Sequence, residues 1–472
     1  QDKDATNSGN ISMERNANVP SIQYNYWSSP VKDQSLYNLY ENIPDNTVMT
    51  YNSWNDKFTI LSRASNPKSI FAKGYSIKGS TSMAPEVTAS FVGEPNNETT
   101  AGPNTFELST AGSNYNLIGN PYPSNLNLLS LYADNSTKFY NVISGVDIET
   151  PTAYFWDNTS NTDLTQQGSS YVNQNYAILN LPSGVGTAAP RFAAISTAKK
   201  PNGIVKPGQG FIIRAAEAGG SLIFKNDYRT TLVKPSGGTD GVYYKGVAVS
   251  ETNDKFWLNL VTGNNVSINI ALAYNSEAEN SFERFDSTIL SEAVTENFYS
   301  VSSDTKKLAI QSRKGDFNTE DKVPLGIKTA TIEVQKISID EKYGVFENQA
   351  IYLKDKLLNT ITNLSEGAYQ FTALNGIDEN RFEIVYKPET VLATGENTKD
   401  QLQVYRNGED FIVQSGVGNI DEVEVFDASG RLFQKVKGGS AKMVILGNSL
   451  VSGMYVLKIK IKNEIVSRKI IE

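Results

Sequence analysis

The sequence contains neither cysteine nor histidine. Without cysteine the chain has no disulfide, thiolate nucleophile or cysteine-ligated zinc. Without histidine it has no Ser-His-Asp triad and no histidine-zinc site of its own. The chemistry that remains comprises carboxylate pairs, Ser-Lys arrangements and all-oxygen calcium sites. We therefore expect a non-enzymatic protein that uses no cofactor.

Long apolar runs and basic clusters are also missing. No run approaches the roughly 20 apolar residues that a membrane helix needs. The 43 basic and 51 acidic residues give a net charge of -8, and no stretch concentrates Lys and Arg as phosphate neutralisation requires. We expect no nucleic acid partner. The opening QDKDATNSGN lacks the basic and apolar regions of a signal peptide.

Strand signals dominate the 472 residues. Short runs rich in Val, Ile, Thr, Tyr and Phe alternate with clusters of Asn, Gly, Ser and Pro, which is typical of an all-β protein. We predict tandem β-sandwich domains. The best short helical candidate covers residues 126–131, with Ser124 as its N-cap.

The first half of the chain repeats itself loosely. Four segments recur in the same order: YNYWSSPV with YNLIGNPYPS, YNSW with AYFW, AKGYSIKG with GQGFIIRA, and ASFVGEPNN with SLIFKNDYR. This indicates that residues 1–238 form a duplicated β-sandwich or jelly-roll-like region.

Pro- and Gly-rich or polar segments predict the later domain boundaries. KPSGGTDG precedes a predicted β-sandwich domain at 239–388. In the first strand of this predicted domain, the apolar residues Phe256, Leu258 and Leu260 stand at every second position. This alternation predicts a hairpin with one buried face. A linker is predicted at 389–401, followed by a small C-terminal unit at 402–472.

The C-terminal unit shows the clearest strand pattern. In GMYVLKIKIK, one face carries Tyr455, Leu457, Ile459 and Ile461, while Lys458, Lys460 and Lys462 share the other. A period of two over eight residues predicts a strand with one buried face.

Three spaced motifs in this unit resemble the C-terminal sorting domain of proteins exported by the type IX secretion system of Bacteroidetes. VEVFDASGRL is similar to the family's strand ending in Asp-x-x-Gly-Arg, SGMYVLKI to its Gly-x-Tyr strand, and SRKIIE to its closing Lys-Ile-Ile. The family's opening Tyr-Pro-Asn-Pro is VYRNGE here, which leaves the signal open between type A and type C. The resemblance implies these sorting-signal residues: Asp427, Gly430, Arg431, Gly453, Tyr455, Lys469, Ile470 and Ile471.

The resemblance also implies a fold, a location and partners. The unit would be an Ig-like β-sandwich that docks on the translocon and outer-membrane barrel components of the secretion machine. The protein would reach the outer cell surface or the medium through the periplasm and outer membrane. In similar proteins further domains precede such segments, so we expect that Gln1 is not the native start. The alternative is that the unit merely caps the second sandwich.

The function implied is that of a surface protein, adhesive or motility-associated, with surface polysaccharide as a candidate partner. The alternative is the accessory, carbohydrate-binding part of a secreted polysaccharide-active enzyme. Among Trp27, Trp54, Trp156 and Trp257, the candidate carbohydrate contact is Trp156. The alignment of Trp54 with Trp156 between the repeats favours core packing instead.

Two acidic segments are weaker candidates. Asp157, Asn161 and Asp163 loosely resemble a calcium loop, but the turn glycine and closing Glu are missing, which favours an Asx-rich turn. Glu283 and Asp286 are expected to be solvated acids at a strand end rather than a catalytic pair. Ser287 is expected to be exposed, because DST resembles an O-glycosylation acceptor of this phylum.

Overall fold

The structure is a computed structural model. It describes residues 7–19, 23–79, 86–98, 104–140, 150–158, 175–194, 199–230, 254–292, 294–330, 332–373, 375–388, 402–407, 410–416, 418–427, 431–441, 443–446, 450, 453–461 and 464–471. The predicted linker at 389–401 and the predicted boundary after residue 238 lie outside these residues, and both stay predictions.

The chain divides into two compact units. The first comprises Gln1–Phe317 and Ile337–Asn348, and the second comprises Asn318–Lys336 and Gln349–Glu472. The fold is all-β, as predicted, with a small β domain at its C-terminal end.

The strands are short and follow one another throughout the described residues. The strands of the first half are β1 (Ile11–Asn18), β2 (Tyr24–Trp27), β3 (Val48–Asn52), β4 (Lys57–Ile60), β5 (Tyr75–Lys78), β6 (Glu86–Gly93), β7 (Asn104–Leu108), β8 (Tyr115–Gly119), β9 (Asn125–Asn127), β10 (Thr152–Trp156), β11 (Tyr176–Asn180), β12 (Gly186–Thr187), β13 (Arg191–Phe192), β14 (Ile204–Val205), β15 (Gly210–Arg214), β16 (Gly220–Phe224) and β17 (Arg229–Thr230). The middle strands are β18 (Lys255–Val261), β19 (Val266–Asn275), β20 (Ser287–Thr288), β21 (Asn297–Val301), β22 (Lys307–Lys314), β23 (Lys322–Thr329), β24 (Val334–Tyr343), β25 (Tyr352–Asp355), β26 (Thr360–Asn363), β27 (Tyr369–Thr372) and β28 (Gly376–Val385). The last strands are β29 (Leu402–Asn407), β30 (Asp410–Ser415), β31 (Ile420–Asp427), β32 (Leu432–Ala441), β33 (Met443–Leu446), β34 (Met454–Ile461) and β35 (Glu464–Ile471).

The described helices are few and short. One α-helix, α1, spans Leu128–Asn135. The 3-10 helices are Leu36–Asn38, Arg63–Ser65, Ser136–Lys138, Asn226–Tyr228 and Gly344–Glu347. Among the described residues, no helix is both long and apolar enough to cross a membrane.

Helix α1 begins two residues later than its sequence pattern predicts. Its N-cap is Asn127, whose side-chain oxygen accepts hydrogen bonds from the backbone N–H groups of Leu129 and Ser130 at 3.0 and 3.1 Å. The predicted cap, Ser124, instead accepts a hydrogen bond from Nε of Arg229. Asn and Ser cap helices about equally well, so local propensity did not separate the two candidates.

Two sheets of the first unit share one strand order. One runs β2-β5-β3-β4, and the other runs β8-β15-β10-β11-β12. The recurring sequence segments fall on β2 and β8, on β3 and β10, on β5 and β15, and on β6 and β16. In addition, β6 pairs with β1 and β16 pairs with β7. Corresponding strands of the two copies therefore occupy corresponding positions.

Each copy packs around its own apolar cluster. The first contains Trp27, Tyr75 and Phe91, whereas the second contains Phe155 and Phe211. In the second cluster the Phe155 and Phe211 rings stack with centroids 5.4 Å apart.

Strands β18 and β19 form the predicted hairpin, with Leu258 opposite Ile270. The prediction that only one face is buried is wrong, because Trp257 and Asn269 on the other face are also buried. Alternation of Phe, Leu and Leu shows which face is apolar, but it does not show whether the opposite face is covered.

The small C-terminal domain contains two sheets. Their orders are β29-β30-β33 and β32-β31-β34-β35. In β34 the residues predicted to face inward are buried, and the described lysines of the other face are exposed, as the alternation predicts. The core of this domain consists of Leu402, Phe411, Val413, Ile420, Val423, Val425, Val444, Leu446, Leu450, Tyr455, Leu457, Ile459, Ile461 and Ile470.

Candidate functional site

Residues from the three sorting-like motifs meet at one end of the C-terminal four-stranded sheet. Asp427 of β31 lies opposite Tyr455 of β34, and Tyr455 lies opposite Ile470 of β35. Directly opposed residues point to the same face of a sheet. Three motifs that lie apart in sequence, at residues 423–432, 452–459 and 467–472, therefore converge on three neighbouring strands.

Asp427 and Arg431 close the hairpin between β31 and β32. The backbone N–H of Asp427 donates to the carbonyl oxygen of Arg431 at 3.0 Å. The backbone N–H of Arg431 donates to Oδ1 of Asp427 at 3.1 Å, and Nε of Arg431 donates to Oδ2 at 3.0 Å. Gly430, between them, lies outside the described residues. The Asp-x-x-Gly-Arg motif thus has a local role in holding the turn.

Tyr455 and Ile470 belong to the domain core. Tyr455 is buried, and its ring meets the ring of Phe433 edge-on at 5.6 Å. Gly453 is exposed just before β34, and Lys469 and Ile471 are part of β35. The contacts of the described motif residues therefore stabilise the domain.

The outer face of this sheet carries a ladder of alternating charges. Lys435 of β32 lies 2.6 Å from a carboxylate oxygen of Glu422 and 2.9 Å from one of Glu424. On the other side, Lys458 and Lys460 of β34 lie opposite the same two glutamates. The hydrogen bond from Lys435 lowers the pKa of Glu424 below its usual value. This part of the outer face is therefore charged, in contrast to the apolar inner face, while the exposed Ile465 lies opposite Lys460 on the same outer face.

A second candidate site is a cavity of about 730 Å³ beside β1 in the first unit. All of residues 13–18 line it, whereas a strand that presented one face would contribute alternate residues. Strand β1 therefore presents its edge to the cavity, and its described sheet partner is β6 on the opposite edge. The remaining walls include β2, the end of β10 and the start of β15. We call this cavity the β1 cleft.

Trp156, the candidate carbohydrate contact, lines the β1 cleft. Its ring is partly exposed, and its Nε1 donates to the carbonyl oxygen of Tyr24 at 2.6 Å. The ring packs against Tyr176 and Tyr26, with centroids 5.3 and 6.0 Å away. These contacts hold the indole in one orientation. By contrast Trp54, aligned with it in sequence, is 74% exposed, so the expectation of core packing is wrong for Trp54.

Two buried side chains at the β1 cleft have polar atoms without a partner among the described residues. They are Nε1 of Trp27 and Oδ1 of Asn125, in residues that are each 3% exposed. The guanidinium of Arg15 lies 5.7 Å from the ring centroid of Trp27. Because buried polar atoms nearly always have a hydrogen-bond partner, these two atoms are expected to have one that the described residues do not supply, such as an ordered water or a bound ligand.

In the sequence, Trp27 is distinguished only as one of four tryptophans, and no pattern distinguishes Asn125. Trp27 lies in the recurring segment YNYWSSPV, and Asn125 directly precedes the predicted helix at 126–131. A missing hydrogen-bond partner has no sequence signal, because it depends on the groups that distant segments bring nearby.

Asp157 also lines the β1 cleft, but it does not stand in a calcium loop among the described residues. Its carboxylate lies 3.3 Å from Nζ of Lys199, and its backbone N–H donates to the carbonyl of Asn175. The other candidate ligands, Asn161 and Asp163, lie outside the described residues. Within the described ranges, no group of three acidic side chains could hold a metal ion.

Glu283 and Asp286 are not both solvated, so that expectation is wrong. The Asp286 carboxylate is fully buried and accepts hydrogen bonds from the backbone N–H groups of Ser312 and Glu283 at 2.8 and 3.0 Å. Burial raises the pKa of Asp286 well above its usual value. Ser287 is buried as well, contrary to expectation. The pair anchors the segment before β20 to β22, away from the β1 cleft.

Comparison with known proteins matches the chain to two family models. One, described as a domain of unknown function (DUF8693), covers residues 1–386, and the other, also a domain of unknown function (DUF8694), covers residues 392–472. No curated protein matches the chain. Neither description states an activity or a ligand.

Proposed function

We propose that this chain, which belongs to the family of the domain of unknown function DUF8693, is a non-enzymatic surface protein exported by the type IX secretion system. Its C-terminal domain is the export signal, and its first unit contributes to an adhesive or motility-associated role outside the cell. Its partners are the translocon, outer-membrane barrel components and surface polysaccharide.

The observation that carries the proposal is the convergence of Asp427, Tyr455 and Ile470 on one end of one sheet. Each motif is short and weak evidence alone. Their meeting in space gives a single folded feature that a receptor can recognise. Since Tyr455 and Ile470 are buried, we propose that the machine reads the folded domain rather than these side chains directly.

Two surfaces of the domain are suited to docking. Strand β35 has β34 as its described neighbour and lies at the end of its sheet, and an edge strand can pair with a partner through backbone hydrogen bonds. On the outer face of the same sheet, towards its other edge, Lys435 of β32 and Glu422 and Glu424 of β31 provide alternating charges. Charged outer faces add specificity and oppose aggregation at an exposed edge.

A second candidate function is that of an accessory, carbohydrate-binding part of a secreted polysaccharide-active enzyme. The specific observation in its favour is that Trp156 lines the β1 cleft with its ring partly exposed. The two candidates share a location outside the cell and a sugar-binding first unit. They differ in whether the native protein also contains a catalytic domain.

Export is tested with the full chain behind a periplasmic signal peptide in a type IX-competent bacterium. We expect the full chain at the cell surface or in the medium, and a chain that ends at residue 401 in the periplasm. A strain without the translocon is the control, and it should retain both proteins in the periplasm. Surface delivery that survives loss of residues 402–472, or loss of the translocon, would refute the proposal.

A further inference from the structure

We infer that the β1 cleft is a binding site for an oligosaccharide, with Trp156 as the stacking platform and Trp27 and Asn125 as hydrogen-bonding groups. The inference rests on the proposed function for its biological role, because a protein at the cell surface would meet polysaccharide there. The binding itself is a property of the first unit alone.

The size and shape of the cleft suit a small ligand. About 730 Å³ lies within the range of roughly 300 to 1,000 Å³ found for small-molecule pockets. One wall is the edge of β1, and the ring of Trp156 stands on another. The flat apolar face of an indole offers contact area to the C–H groups of a sugar ring, while its amphipathic character tolerates the nearby water.

The unpartnered atoms specify the polarity of the ligand. Nε1 of Trp27 can only donate, and Oδ1 of Asn125 can only accept. A ligand that satisfies both must itself accept at one position and donate at another. Hydroxyl groups do both, and a sugar carries several of them around an apolar ring.

The walls of the cleft are rich in amides. Six amide side chains line it: Asn16, Asn18, Asn25, Asn125, Asn158 and Gln209. Some of these groups are already bonded within the protein: Asn25 and Asn158 donate to the carbonyl of Asn18, and Oε1 of Gln209 accepts from the backbone N–H of Lys206. The other amide groups are uncharged donors and acceptors. Such groups match the mixed donors and acceptors of neutral sugar hydroxyls.

The charges at the cleft nearly balance. Three cationic side chains, Arg15, Lys199 and Lys206, face two acidic ones, Glu14 and Asp157, and Asp157 is paired with Lys199. The balance favours a neutral or weakly acidic oligosaccharide over a highly charged polyanion.

An extended peptide added to β1 fits less well. The carbonyl oxygen of Asn18, at the end of β1, already accepts hydrogen bonds from the side chains of Asn25 and Asn158 at 2.9 and 2.6 Å. These side chains bridge the cleft at that end of the strand. A peptide strand running along the whole edge would have to displace them, whereas a compact sugar would not.

The inference is tested with purified full chain. It is screened against an array of neutral and acidic oligosaccharides, and the strongest binder is titrated by isothermal calorimetry. We expect about tenfold or greater loss of affinity for Trp156→Ala, because removing a central aromatic contact has effects of this size. We expect up to about tenfold loss for Trp27→Phe and for Asn125→Leu, each of which removes one hydrogen-bonding group.

The chain supplies two matched controls. Trp257→Phe removes an indole N–H that is bonded within the protein, to the carbonyl of Gly186, and Trp54→Ala removes an exposed indole outside the cleft. Both should bind the oligosaccharide within about twofold of the unaltered chain. Thermal unfolding shows which variants are folded, and Trp27→Phe remains informative if Trp156→Ala unfolds.

Three results would overturn the inference. They are the absence of binding to every oligosaccharide on the array, unchanged affinity in both Trp27→Phe and Asn125→Leu, and saturable binding of extended peptides in place of sugars. Because purified protein is used, failed binding leaves the export proposal standing, and failed export leaves the binding result standing.

Discussion

Arg381 and Asp355 form a buried ion pair in the second unit. Nε of Arg381 lies 3.1 and 3.0 Å from the two carboxylate oxygens, and Nη2 lies 2.8 Å from Oδ2. The two side chains are only 4% and 1% exposed. Tyr369 donates a further hydrogen bond to the same carboxylate, and Nη1 of Arg381 donates to the carbonyl of Thr372. The pair ties β25 to β28 at the point where Asp355 lies opposite Phe382.

Breaking this pair should strongly destabilise the second unit. Arg381→Met leaves the Asp355 carboxylate buried without its cation, which costs about 3 to 5 kcal/mol of unfolding free energy. The double variant Arg381→Met with Asp355→Leu should recover much of that loss, since no charge remains buried. Denaturant unfolding of the unaltered chain, Arg381→Met, Asp355→Leu and the double variant measures both effects. If the double variant were destabilised by the sum of the two single effects, the buried charge of Asp355 would not be the cause of the destabilisation by Arg381→Met.

Trp27 and Trp257 allow the energetic value of a buried indole hydrogen bond to be compared within one protein. Both rings are buried, and Nε1 of Trp257 donates to the carbonyl of Gly186 at 2.7 Å, whereas Nε1 of Trp27 has no partner among the described residues. Replacing either with Phe removes similar volume, whereas only Trp257→Phe leaves an acceptor unsatisfied. We expect Trp257→Phe to be less stable than Trp27→Phe by about 1 to 3 kcal/mol in denaturant unfolding. Equal losses would contradict the assignment of Nε1 of Trp27 as unpartnered.

Variants of the hairpin formed by Asp427 and Arg431 distinguish a role of the motif in folding from its direct recognition by the secretion machine. Asp427→Ala removes the acceptor of the Arg431 backbone N–H and should cost about 1 to 2 kcal/mol. Arg431→Ala removes only an exposed ion pair and should cost at most about 1 kcal/mol. Unfolding and surface delivery are measured for both variants. If the motif acts through the fold, delivery should follow stability, and a stable Arg431→Ala chain that stays in the periplasm would indicate direct reading of the guanidinium.

The core of the C-terminal domain should be sensitive to single changes. Leu457 is fully buried in β34, and Leu457→Ala should cost about 2 to 5 kcal/mol by lost burial and a residual cavity. Lys460→Ala, on the exposed face of the same strand, should stay within about 0.5 kcal/mol. Amide hydrogen exchange in β31, β34 and β35 reports both changes. Similar protection in the two variants would show that β34 does not bury the Leu457 face.

Asp286 predicts a pH dependence of stability. Burial raises its folded-state pKa above the ordinary value of 3.8, so above that value the folded chain holds a proton that the unfolded chain has lost. The free energy of unfolding should therefore fall as pH rises from about 4 towards the folded-state pKa, by at most about 1.4 kcal/mol per pH unit. Asp286→Asn does not ionise at this position, so its free energy of unfolding should rise relative to that of the unaltered chain over the same pH range. Denaturant unfolding of both proteins at several pH values measures this difference in free energy. A difference that stays the same at every pH would contradict the raised pKa of Asp286.

Much of the β architecture could be predicted because strand signals are local. The alternation in β34 identified the inward residues Tyr455, Leu457, Ile459 and Ile461. The paired apolar runs around a Gly-Asn-Asn turn identified the β18 and β19 hairpin. A period of two and turn-forming residues depend only on neighbours in sequence, so a single chain is enough to read them.

The candidate sites could be predicted only in part. Trp156 was singled out as a sugar contact, but its neighbours in the β1 cleft come from segments as distant as residues 13 and 210. The motif residues of the C-terminal domain were identified by resemblance, while their meeting across β31, β34 and β35 required the strand order. Local patterns do not state which strands become neighbours.

What the amino-acid sequence determined by itself is the all-β fold class, the buried face of β34 and the chemistry ruled out by the absence of cysteine and histidine. Only the tertiary structure decided that Trp54 is exposed, that Asp286 is buried and that Nε1 of Trp27 has no hydrogen-bond partner within the part of the chain that the structure describes. The physical reason is that burial and hydrogen bonding depend on which distant elements cover a residue, whereas strand periodicity is set by the backbone geometry of the residue and its immediate neighbours.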